Sequence, residues 1–359
     1  MNVSEFDFDL PNELIAQEPP AVRGASRLMA IDRAHDRITH LNFSDLPSLL
    51  RAGDLLVVND TRVFPARLIG TRVPGGGAAE CFLIRPTSEA DTWIALVHPG
   101  QRIREGSRLV FEGSDSSNDS NSSTGSRLNA EVVGSHFHGR RTVRLWTDDG
   151  SPVRDAIDQI GHVPLPPYIK RSDSIADRDR YQTVYARERG SIAAPTAGLH
   201  FTPAILDALR DQGVERTSIT LHVGYGTFQP IRVDSVDDHQ MEAEHYEVSG
   251  AAAASLSNAK KEGRRIIAVG TTTTRTLESL AVAADGTVSA GAGETALFIH
   301  PGHKFTLVSG LVTNFHLPKS SLLMLVSALA GRDTILGAYR AAVAARYRFY
   351  SYGDAMVIL

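Results

Sequence analysis

A change of sequence pattern near residue 161 limits the architectures open to this chain. From Leu55 to about Trp146 the sequence consists of short, partly alternating apolar segments separated by turns, which is typical of strands. After Gly161 apolar strands alternate with helical stripes, which is typical of an α/β domain. The first part therefore predicts a small antiparallel barrel or sandwich. Its predicted strands are LLVVN, RLIGTRV, ECFLIRP, TWIALVHP, SRLVFEG, RLNAEVVG and TVRLWTD.

The pattern also predicts a discontinuous main domain. LPNELIA and DLPSLL, in the first 50 residues, look like short helices without a core of their own, so we assign them to the later half. The predicted fold is an α/β main domain of residues 1–70 and 155–359, into which a small antiparallel all-β, barrel-like domain of residues 71–154 is inserted. Residues 113–126 are too polar to pack, and they predict a disordered loop within one hairpin.

Helix signals in the later half are local and clear. Thr202 as N-cap and Pro203 as the first helical residue predict a helix that ends before Gly213. The predicted elements of this half are strands at RTSITLHVG and RRIIAVG and helices at 203–212, 251–262, about 320–330 and 333–346.

Composition excludes several classes of protein. The 359 residues carry a formal net charge of −4, so a nucleic-acid partner has to bind a local basic face. Cys81 is the only cysteine, which rules out an internal disulfide and a cysteine-rich metal site. MNVSEFDFDL is too acidic for a signal peptide, and the longest apolar stretches fall short of the about 20 residues of a membrane span. We expect a cytoplasmic enzyme or binding protein, without a membrane partner.

Polar residues are concentrated where predicted strands end and helices begin, which is where open α/β sheets bind ligands. A glycine turn before a helix presents N–H groups to an anion, and hydroxyls beside it bind a ribose or a carboxylate. An equally good interpretation is that the threonines only cap the helix. The segment RRIIAVGTTTTRTLESL combines these features in Gly270, Thr271, Thr272, Thr273, Thr274 and Arg275.

Histidines occupy further junctions of this kind. His200 precedes a helix in AAPTAGLHFTP, which also contains Thr196. His222 and Tyr225 follow a strand end in LHVGYGTFQPI, where Gly226 permits either close approach of a flat ligand or a plain β-turn.

Two more segments extend this set. TNFHLPKSSLLML places Asn314, His316 and Lys319 before a helix, although a lone histidine there is more often structural. DDHQMEAEHYEV contains Glu242 and Glu244 among histidines, but it lacks HExxH spacing, so we predict acid/base or amine-binding carboxylates and no metal. Convergence of these junctions in one cleft is the simplest explanation.

Arginines interleaved with aromatic residues suggest contacts with nucleic-acid phosphates and bases. The C-terminal RYRFYSYGD is the strongest example, while scattered arginines such as Arg62 and Arg67 are more often solvated surface charge.

Many segments resemble one enzyme family, the S-adenosylmethionine:tRNA ribosyltransferase-isomerases. The match runs in family order over nearly the whole chain, and the serine-rich loop at 113–126 is the one departure. The segments that carry it include FDFDLPNELIAQEP, LLVVNDTRVFPARL, GHVPLPPYI, GSIAAPTAGLHFT, LHVGYGTFQPI, AVGTTTTRTLES, TNFHLPKSSLLMLVSALAG and RYRFYSYGDAM.

The resemblance implies an α/β domain that carries an inserted β-barrel, and an enzyme of queuosine biosynthesis. Its co-substrate is S-adenosylmethionine, and no metal is expected. The ribosyl group is transferred and isomerised onto 7-aminomethyl-7-deazaguanine at the wobble position of the tRNA anticodon stem-loop. The products are epoxyqueuosine-tRNA, adenine and methionine.

This chemistry needs a base to remove a ribose C5′ hydrogen next to the sulfonium, an acid for the departing adenine and a base for the incoming amine. We assign these catalytic roles to His200 or His222 and to Glu242 or Glu244. The residues assigned to S-adenosylmethionine are Thr196, Tyr225, Gly226, Thr271, Thr272, Thr273, Arg275, Asn314 and His316. The residues assigned to tRNA are Arg62, Arg67, Lys319, Arg346 and Arg348.

Two alternatives belong to other classes. One is a noncatalytic tRNA-binding module, which would need no acid/base residues in its cleft. The other is an S-adenosylmethionine-dependent methyltransferase, which would show a glycine-rich loop after an early strand. Release of adenine, rather than S-adenosylhomocysteine, separates all three. We expect a monomer.

Overall fold

The computed structural model describes residues 1–113, 127–224, 226 and 231–359. Its strands are β1 (Arg27–Asp32), β2 (Arg37–Asn42), β3 (Leu55–Asn59), β4 (Thr61–Val63), β5 (Arg67–Val73), β6 (Ala78–Pro86), β7 (Thr92–His98), β8 (Arg108–Glu112), β9 (Arg127–Ser135), β10 (Arg140–Trp146), β11 (Glu188–Ser191), β12 (Glu215–Leu221), β13 (Glu244–Val248), β14 (Ile266–Val269), β15 (Gly291–Thr295), β16 (Gly310–Asn314) and β17 (Ala355–Ile358). Its helices are α1 (Val153–Ile160), α2 (Ile175–Arg180), α3 (Pro203–Asp211), α4 (Gly250–Lys261), α5 (Thr271–Ser279), α6 (Ser321–Ala330) and α7 (Arg332–Ala344).

Within the described residues, the main domain is built on one mixed sheet with the strand order β15, β13, β12, β3, β14, β16, β17, β1, β2. The central strands β12, β3, β14 and β16 are parallel neighbours, so their carboxyl ends lie at one edge of the sheet. β13 and β17 run antiparallel to β12 and β16, so these two strands begin at that same edge. We call this edge, which carries Asn59, Leu221, Val269 and Asn314, the carboxyl edge.

Burial on both faces explains the continuous apolar runs of the central strands. In β3, Leu55 and Val57 pack into the core beneath α4 to α7, while Leu56 and Val58 pack on the opposite face against α3 and the 3₁₀ helix at Phe43–Leu49. A sheet covered on both faces confirms the predicted α/β main domain.

The N-terminal segment differs in part from the prediction. It does join the later half, and LPNELIA and DLPSLL do contain helical turns, which are 3₁₀ helices at Asn12–Leu14 and Phe43–Leu49. However, the prediction missed the β1–β2 hairpin, in which β1 pairs parallel with β17. LLVVN shares the strand pattern of the barrel part but lies within the predicted main-domain range 1–70, and in the structure it is β3 at the centre of the large sheet.

The strand-rich part is a closed antiparallel barrel in the described residues, with the order β10, β7, β6, β5, β8, β9. Its core alternates along each strand, with Leu68, Cys81 and Leu83 inside, and α1 packs against it. The barrel alternative is therefore confirmed over the sandwich. The first barrel strand begins at Arg67, ahead of the predicted domain boundary at residue 71, and the division into domains stays a prediction. Apart from Gly113, the predicted loop at 113–126 lies outside the described residues.

Local capping explains where the helices begin. The hydroxyl of Thr202 accepts a hydrogen bond from the N–H of Ile205 at 3.2 Å, which confirms the predicted N-cap of α3. Ser249 and Ser320 cap α4 and α6 in the same way. Among the described residues no single helix is long and apolar enough to cross a membrane, and α6 and α7 meet that criterion only as a pair bent by 116°.

Candidate active site

A cavity of about 400 Å³ opens at the carboxyl edge. Its walls come from residues 193–197, 270–272 and 313–322, together with Tyr168, Tyr181, Val223, Tyr350 and Ser351. Residues 270–272 and 313–322 lie at or just after the ends of β14 and β16, and Tyr350 and Ser351 precede β17. Residues 193–197 follow β11 and reach the end of β16 through the hydrogen bond between Thr196 and Asn314. The volume is in the range of small-molecule sites. We call it the carboxyl-edge cavity.

Two helices begin in the wall of the cavity. Thr271 and Thr272 are the first residues of α5, and Ser321 is the first residue of α6. Gly270 has a φ of 90°, a left-handed conformation that permits the sharp turn from β14 into α5. The free N–H groups at both helix starts therefore favour an anionic group in the cavity.

The four threonines divide between the two roles considered for them. Thr271 and Thr272 line the cavity. Thr273 is fully buried, and its hydroxyl donates to the carbonyl oxygen of Val269 at 2.6 Å, while Thr274 donates to Gly270 at 3.1 Å. The hydroxyl of Thr273 therefore serves the helix and does not line the cavity.

Asn314 is held rigidly in the cavity wall. Its Nδ2 donates to Nε2 of His200 at 3.0 Å and to the carbonyl oxygen of Tyr350 at 3.1 Å, and its Oδ1 accepts from the hydroxyl of Thr196 at 3.2 Å. Because Nε2 of His200 accepts, Nδ1 carries the proton and donates to Ser26 at 2.8 Å. Thr196 and Asn314, two of the residues predicted to contact S-adenosylmethionine, therefore both line the cavity, and the contact itself stays a prediction.

His200 lies behind this wall and does not line the cavity. Both ring nitrogens are occupied, and burial lowers the pKa of His200 to about 4. The ring is therefore neutral at neutral pH, and its contacts are those of a group that orients Asn314.

His316 does line the cavity. Its ring Nε2 is 3.0 Å from the hydroxyl of Thr313, and its backbone N–H donates to the hydroxyl of Tyr339 at 3.0 Å. Burial lowers the pKa of His316 to about 3, so it offers hydrogen bonds to a ligand but no charge.

His222 lies at the end of β12, next to the cavity residue Val223. Its Nδ1 is 2.8 Å from the hydroxyl of Thr61, which follows β3 at the same edge. Burial is the main cause that lowers the pKa of His222, and the nearby His245 lowers it further. The ring covers Gly190 so closely that a Cβ there would approach it to 2.6 Å, so the packing requires glycine.

The two predicted carboxylates have different environments. Glu244 is buried, forms an ion pair with Arg275 at 2.5 Å and accepts from the N–H of Gly224 at 2.9 Å. Arg275 is also buried and donates to the carbonyl oxygen of Leu297, so this pair holds the backbone at Gly224, just after β12, and does not line the cavity. Glu242 is half exposed and forms an ion pair with Arg140 of the barrel. Within the described ranges, no three His, Cys, Asp or Glu side chains are grouped so that they could hold a metal ion.

Two further residues were predicted to bind S-adenosylmethionine. Gly226 lies against Glu242, where a Cβ would be 3.1 Å from the Cβ of that residue. Tyr225 lies outside the described residues.

The predicted tRNA-binding residues have different environments. Lys319 lines the cavity and pairs with Asp7 at 2.8 Å, whereas Arg67 pairs with Glu80 of the barrel at 2.9 Å. Arg348 donates to the carbonyl oxygens of Glu18 and Tyr352. Arg346 and Arg62 are exposed, and Arg62 lines a second, smaller cavity.

The aromatic wall of the site was not predicted from the sequence. Tyr168 and Tyr350 lie in the cavity with ring centroids 3.9 Å apart, and the hydroxyls of Tyr168 and Ser351 are hydrogen-bonded. Tyr350 belongs to RYRFYSYGD, whose aromatic residues suggest stacking on RNA bases. Its place in the cavity follows from its position just before β17, and that position is at the carboxyl edge only because β17 pairs antiparallel with β16.

Comparisons with known proteins agree with this architecture. The family model described as "Queuosine biosynthesis protein" matches residues 3–358. A protein of Anaeromyxobacter sp. (strain Fw109-5), named S-adenosylmethionine:tRNA ribosyltransferase-isomerase, is 52% identical over 100% of this chain and 99% of its own length. A protein of the same name from Moorella thermoacetica is 50% identical, with all of both chains covered.

A solved structure is similar over the same length. The crystal structure of S-adenosylmethionine tRNA ribosyltransferase from Thermotoga maritima aligns with a TM-score of 0.54 at 38% identity and covers 99% of this chain and 100% of that chain. Full-length matches at this identity confirm the resemblance inferred from the motifs. The chain belongs to the S-adenosylmethionine:tRNA ribosyltransferase-isomerase family of queuosine biosynthesis proteins.

Proposed function

We propose that this protein transfers and isomerises the ribosyl group of S-adenosylmethionine onto 7-aminomethyl-7-deazaguanine at the wobble position of tRNA, with release of adenine and methionine. The product is epoxyqueuosine-tRNA, and the reaction takes place in the cytoplasm. The observation that carries the proposal is the carboxyl-edge cavity, which collects polar groups from three separate chain segments in a protein about half identical to enzymes of this name.

The cavity suits the parts of S-adenosylmethionine. We assign the methionine carboxylate to the N–H groups at the starts of α5 and α6, beside Thr271 and Thr272, because these helix ends favour an anion. The sulfonium has the aromatic rings of Tyr168 and Tyr350 within the same cavity, and such rings attract cations.

Asn314 is suited to accept a hydrogen bond from the adenosine part. Both hydrogens of its amide are used inside the protein, while Oδ1 accepts one hydrogen bond and keeps a second lone pair. We assign that lone pair to the adenine amino group or a ribose hydroxyl. In this scheme His200 is a positioning residue, which holds Asn314 in one orientation.

His222 is the better candidate for the general base. The Thr61 hydroxyl lies 3.4 Å from the carbonyl oxygen of Glu188, and donation in that direction leaves Thr61 to accept from Nδ1–H of His222. Nε2 of His222 then carries a lone pair. Because its pKa is lowered by burial, the ring is neutral and able to accept a proton at neutral pH.

Glu242 is the carboxylate that we assign to the incoming amine. It is half exposed at the loop beside Gly226, and its present partner Arg140 belongs to the barrel. Glu244 is already engaged by Arg275 and Gly224, so we assign it to the support of the backbone at Gly224.

The anticodon stem-loop would cover the carboxyl edge and insert its wobble base into the cavity. Lys319, at the cavity wall, and the exposed Arg62 and Arg346 are the cations assigned to its phosphates. This part of the proposal requires RNA binding to weaken as salt increases.

One assay tests the function against both alternatives. The protein is incubated with S-adenosylmethionine and tRNA that carries 7-aminomethyl-7-deazaguanine, and the small products are separated by chromatography. Adenine and methionine support the proposal. S-adenosylhomocysteine would identify a methyltransferase, and absence of turnover with intact RNA binding would identify a noncatalytic binder.

A further inference from the structure

A second cavity, of about 200 Å³, lies where the barrel joins the main domain. It is enclosed by α1, α2 and the parallel pair of β4 and β11, in which Arg62 and Arg189 are direct neighbours. We call it the arginine cavity, because its lining contains Arg62, Arg154, Arg178 and Arg189.

Arg178 and Arg189 are fixed in the wall. Arg189 pairs with Asp158 at 2.7 Å, and its guanidinium lies 4.7 Å from the ring centroid of Phe64. Arg178 donates to the carbonyl oxygens of residues 158, 159 and 161, at 2.7, 3.3 and 2.8 Å. Because carbonyl groups carry no formal charge, Arg178 is oriented by these bonds without being neutralised.

The second carboxylate of the lining, Asp177, is engaged elsewhere. Arg171 binds both of its oxygens, at 2.7 and 2.9 Å, and the hydroxyl of Tyr352 donates to Oδ1 at 2.7 Å. Burial alone would raise the pKa of Asp177, but the hydrogen bonds from Arg171, Ser174 and Tyr352 outweigh it and hold the pKa well below its usual value. Asp177 is therefore an anion whose charge is balanced by Arg171.

Arg62 and Arg154 complete the lining as exposed cations. Among the described residues neither side chain makes a hydrogen bond or an ion pair with another residue. Together with Arg178, they bring three guanidinium groups without a carboxylate partner to one small cavity. Like charges in such an arrangement favour an anion, and planar guanidinium groups match phosphate oxygens.

The arginine cavity is next to the carboxyl-edge cavity. Asp177 of α2 lines the former, while Tyr181, at the C-terminal end of the same helix, lines the latter. Four residues of helix span about 6 Å, so the two cavities are separated by roughly one helical turn. An RNA strand that inserts one base into the carboxyl-edge cavity can therefore place a neighbouring backbone phosphate in the arginine cavity.

We propose that the arginine cavity binds a backbone phosphate of the RNA substrate, close to the nucleotide that enters the carboxyl-edge cavity. This inference rests on the proposed tRNA substrate. It assigns Arg154 and Arg178 to RNA binding and gives Arg62 a defined site.

The test uses the full-length protein, a fluorescent anticodon stem-loop and anisotropy over a range of salt concentrations. Arg62→Ala and Arg154→Ala should each raise Kd about 10-fold, and each should reduce the slope of log K against log salt by about 0.7. Arg154→Lys should retain most of the slope, since it keeps the charge. Arg51→Ala is the matched control, because Arg51 precedes β3 at the opposite edge of the sheet from Arg62 and is exposed; its Kd should equal that of the wild type.

Two results separate the failure of this inference from that of the proposed function. If the wild type releases adenine while Arg62→Ala and Arg154→Ala bind RNA like Arg51→Ala, the arginine cavity is not a phosphate site. If the wild type binds RNA but releases no adenine, the proposed function fails, whereas loss of affinity in the two variants would still support the cavity. Unchanged thermal unfolding of both variants confirms that any loss of affinity is not loss of fold.

Discussion

Protonation of His200 should destabilise the fold in mild acid. The ring is buried and neutral, and its pKa falls from the ordinary 6.5 to about 4 because burial disfavours the charged form. In the unfolded chain the same ring takes up a proton near pH 6.5. Below that pH the unfolded state binds more protons than the folded state. The contribution of His200 to the free energy of unfolding is therefore fully present above pH 6.5 and is lost as the pH drops toward 4.

The size of this effect follows from the difference between the two pKa values. Each pKa unit corresponds to about 1.4 kcal/mol, so His200 contributes about 3 kcal/mol to the loss of stability between pH 6.5 and pH 4. That is a large share of the roughly 5–15 kcal/mol by which a typical native protein is stable.

Urea unfolding at a series of pH values measures the effect. Because carboxylates also titrate in this range, the relevant quantity is the stability of the wild type minus that of His200→Gln. This difference should decrease by about 3 kcal/mol from pH 6.5 to pH 4. The control is His98→Gln, since His98 is exposed and its side chain has no hydrogen bond among the described residues. Parallel stability curves for the wild type and His200→Gln would refute the assignment of a buried, neutral His200.

Three further changes should have distinct effects. Glu244→Gln leaves the buried guanidinium of Arg275 without its anion and should cost about 3–5 kcal/mol in urea unfolding, whereas Glu242→Gln, at an exposed pair, should cost less than about 1 kcal/mol; equal costs would contradict the difference in burial. His222→Gln should lower kcat for adenine release by about 100-fold or more with intact RNA affinity, and unchanged kcat would exclude it as the base. Asn314→Ala should weaken S-adenosylmethionine binding in calorimetry by about 10-fold, and undiminished affinity would move the ligand away from Thr196 and Asn314.

Several parts of the site followed from local sequence. The turn at Gly270 and the start of α5 at Thr271 come from a glycine and polar residues after an apolar strand, and Thr202 caps α3 for the same kind of local reason. Such signals act over a few residues. The motif order likewise identified the family before the fold was known.

The predicted roles of other residues depended on contacts that local pattern does not contain. His200 and His316 both precede apolar helices, yet His316 lines the cavity and His200 lies behind it with both nitrogens bonded. Similarly, Thr272 and Thr273 are adjacent, and the helix turns only one of them toward the cavity.

The sequence alone determined the two kinds of domain, most helix starts and the polar character of the junctions, because periodicity and capping are short-range effects. Tertiary structure decided which junctions meet. The cavity exists because β14 and β16 are adjacent and parallel while β17 is antiparallel to β16, which brings residues far apart in the chain, such as Thr271, Asn314 and Tyr350, to one edge. Strand order depends on pairing between segments far apart in the chain, together with burial of both sheet faces against helices, and both are properties of the whole packed domain.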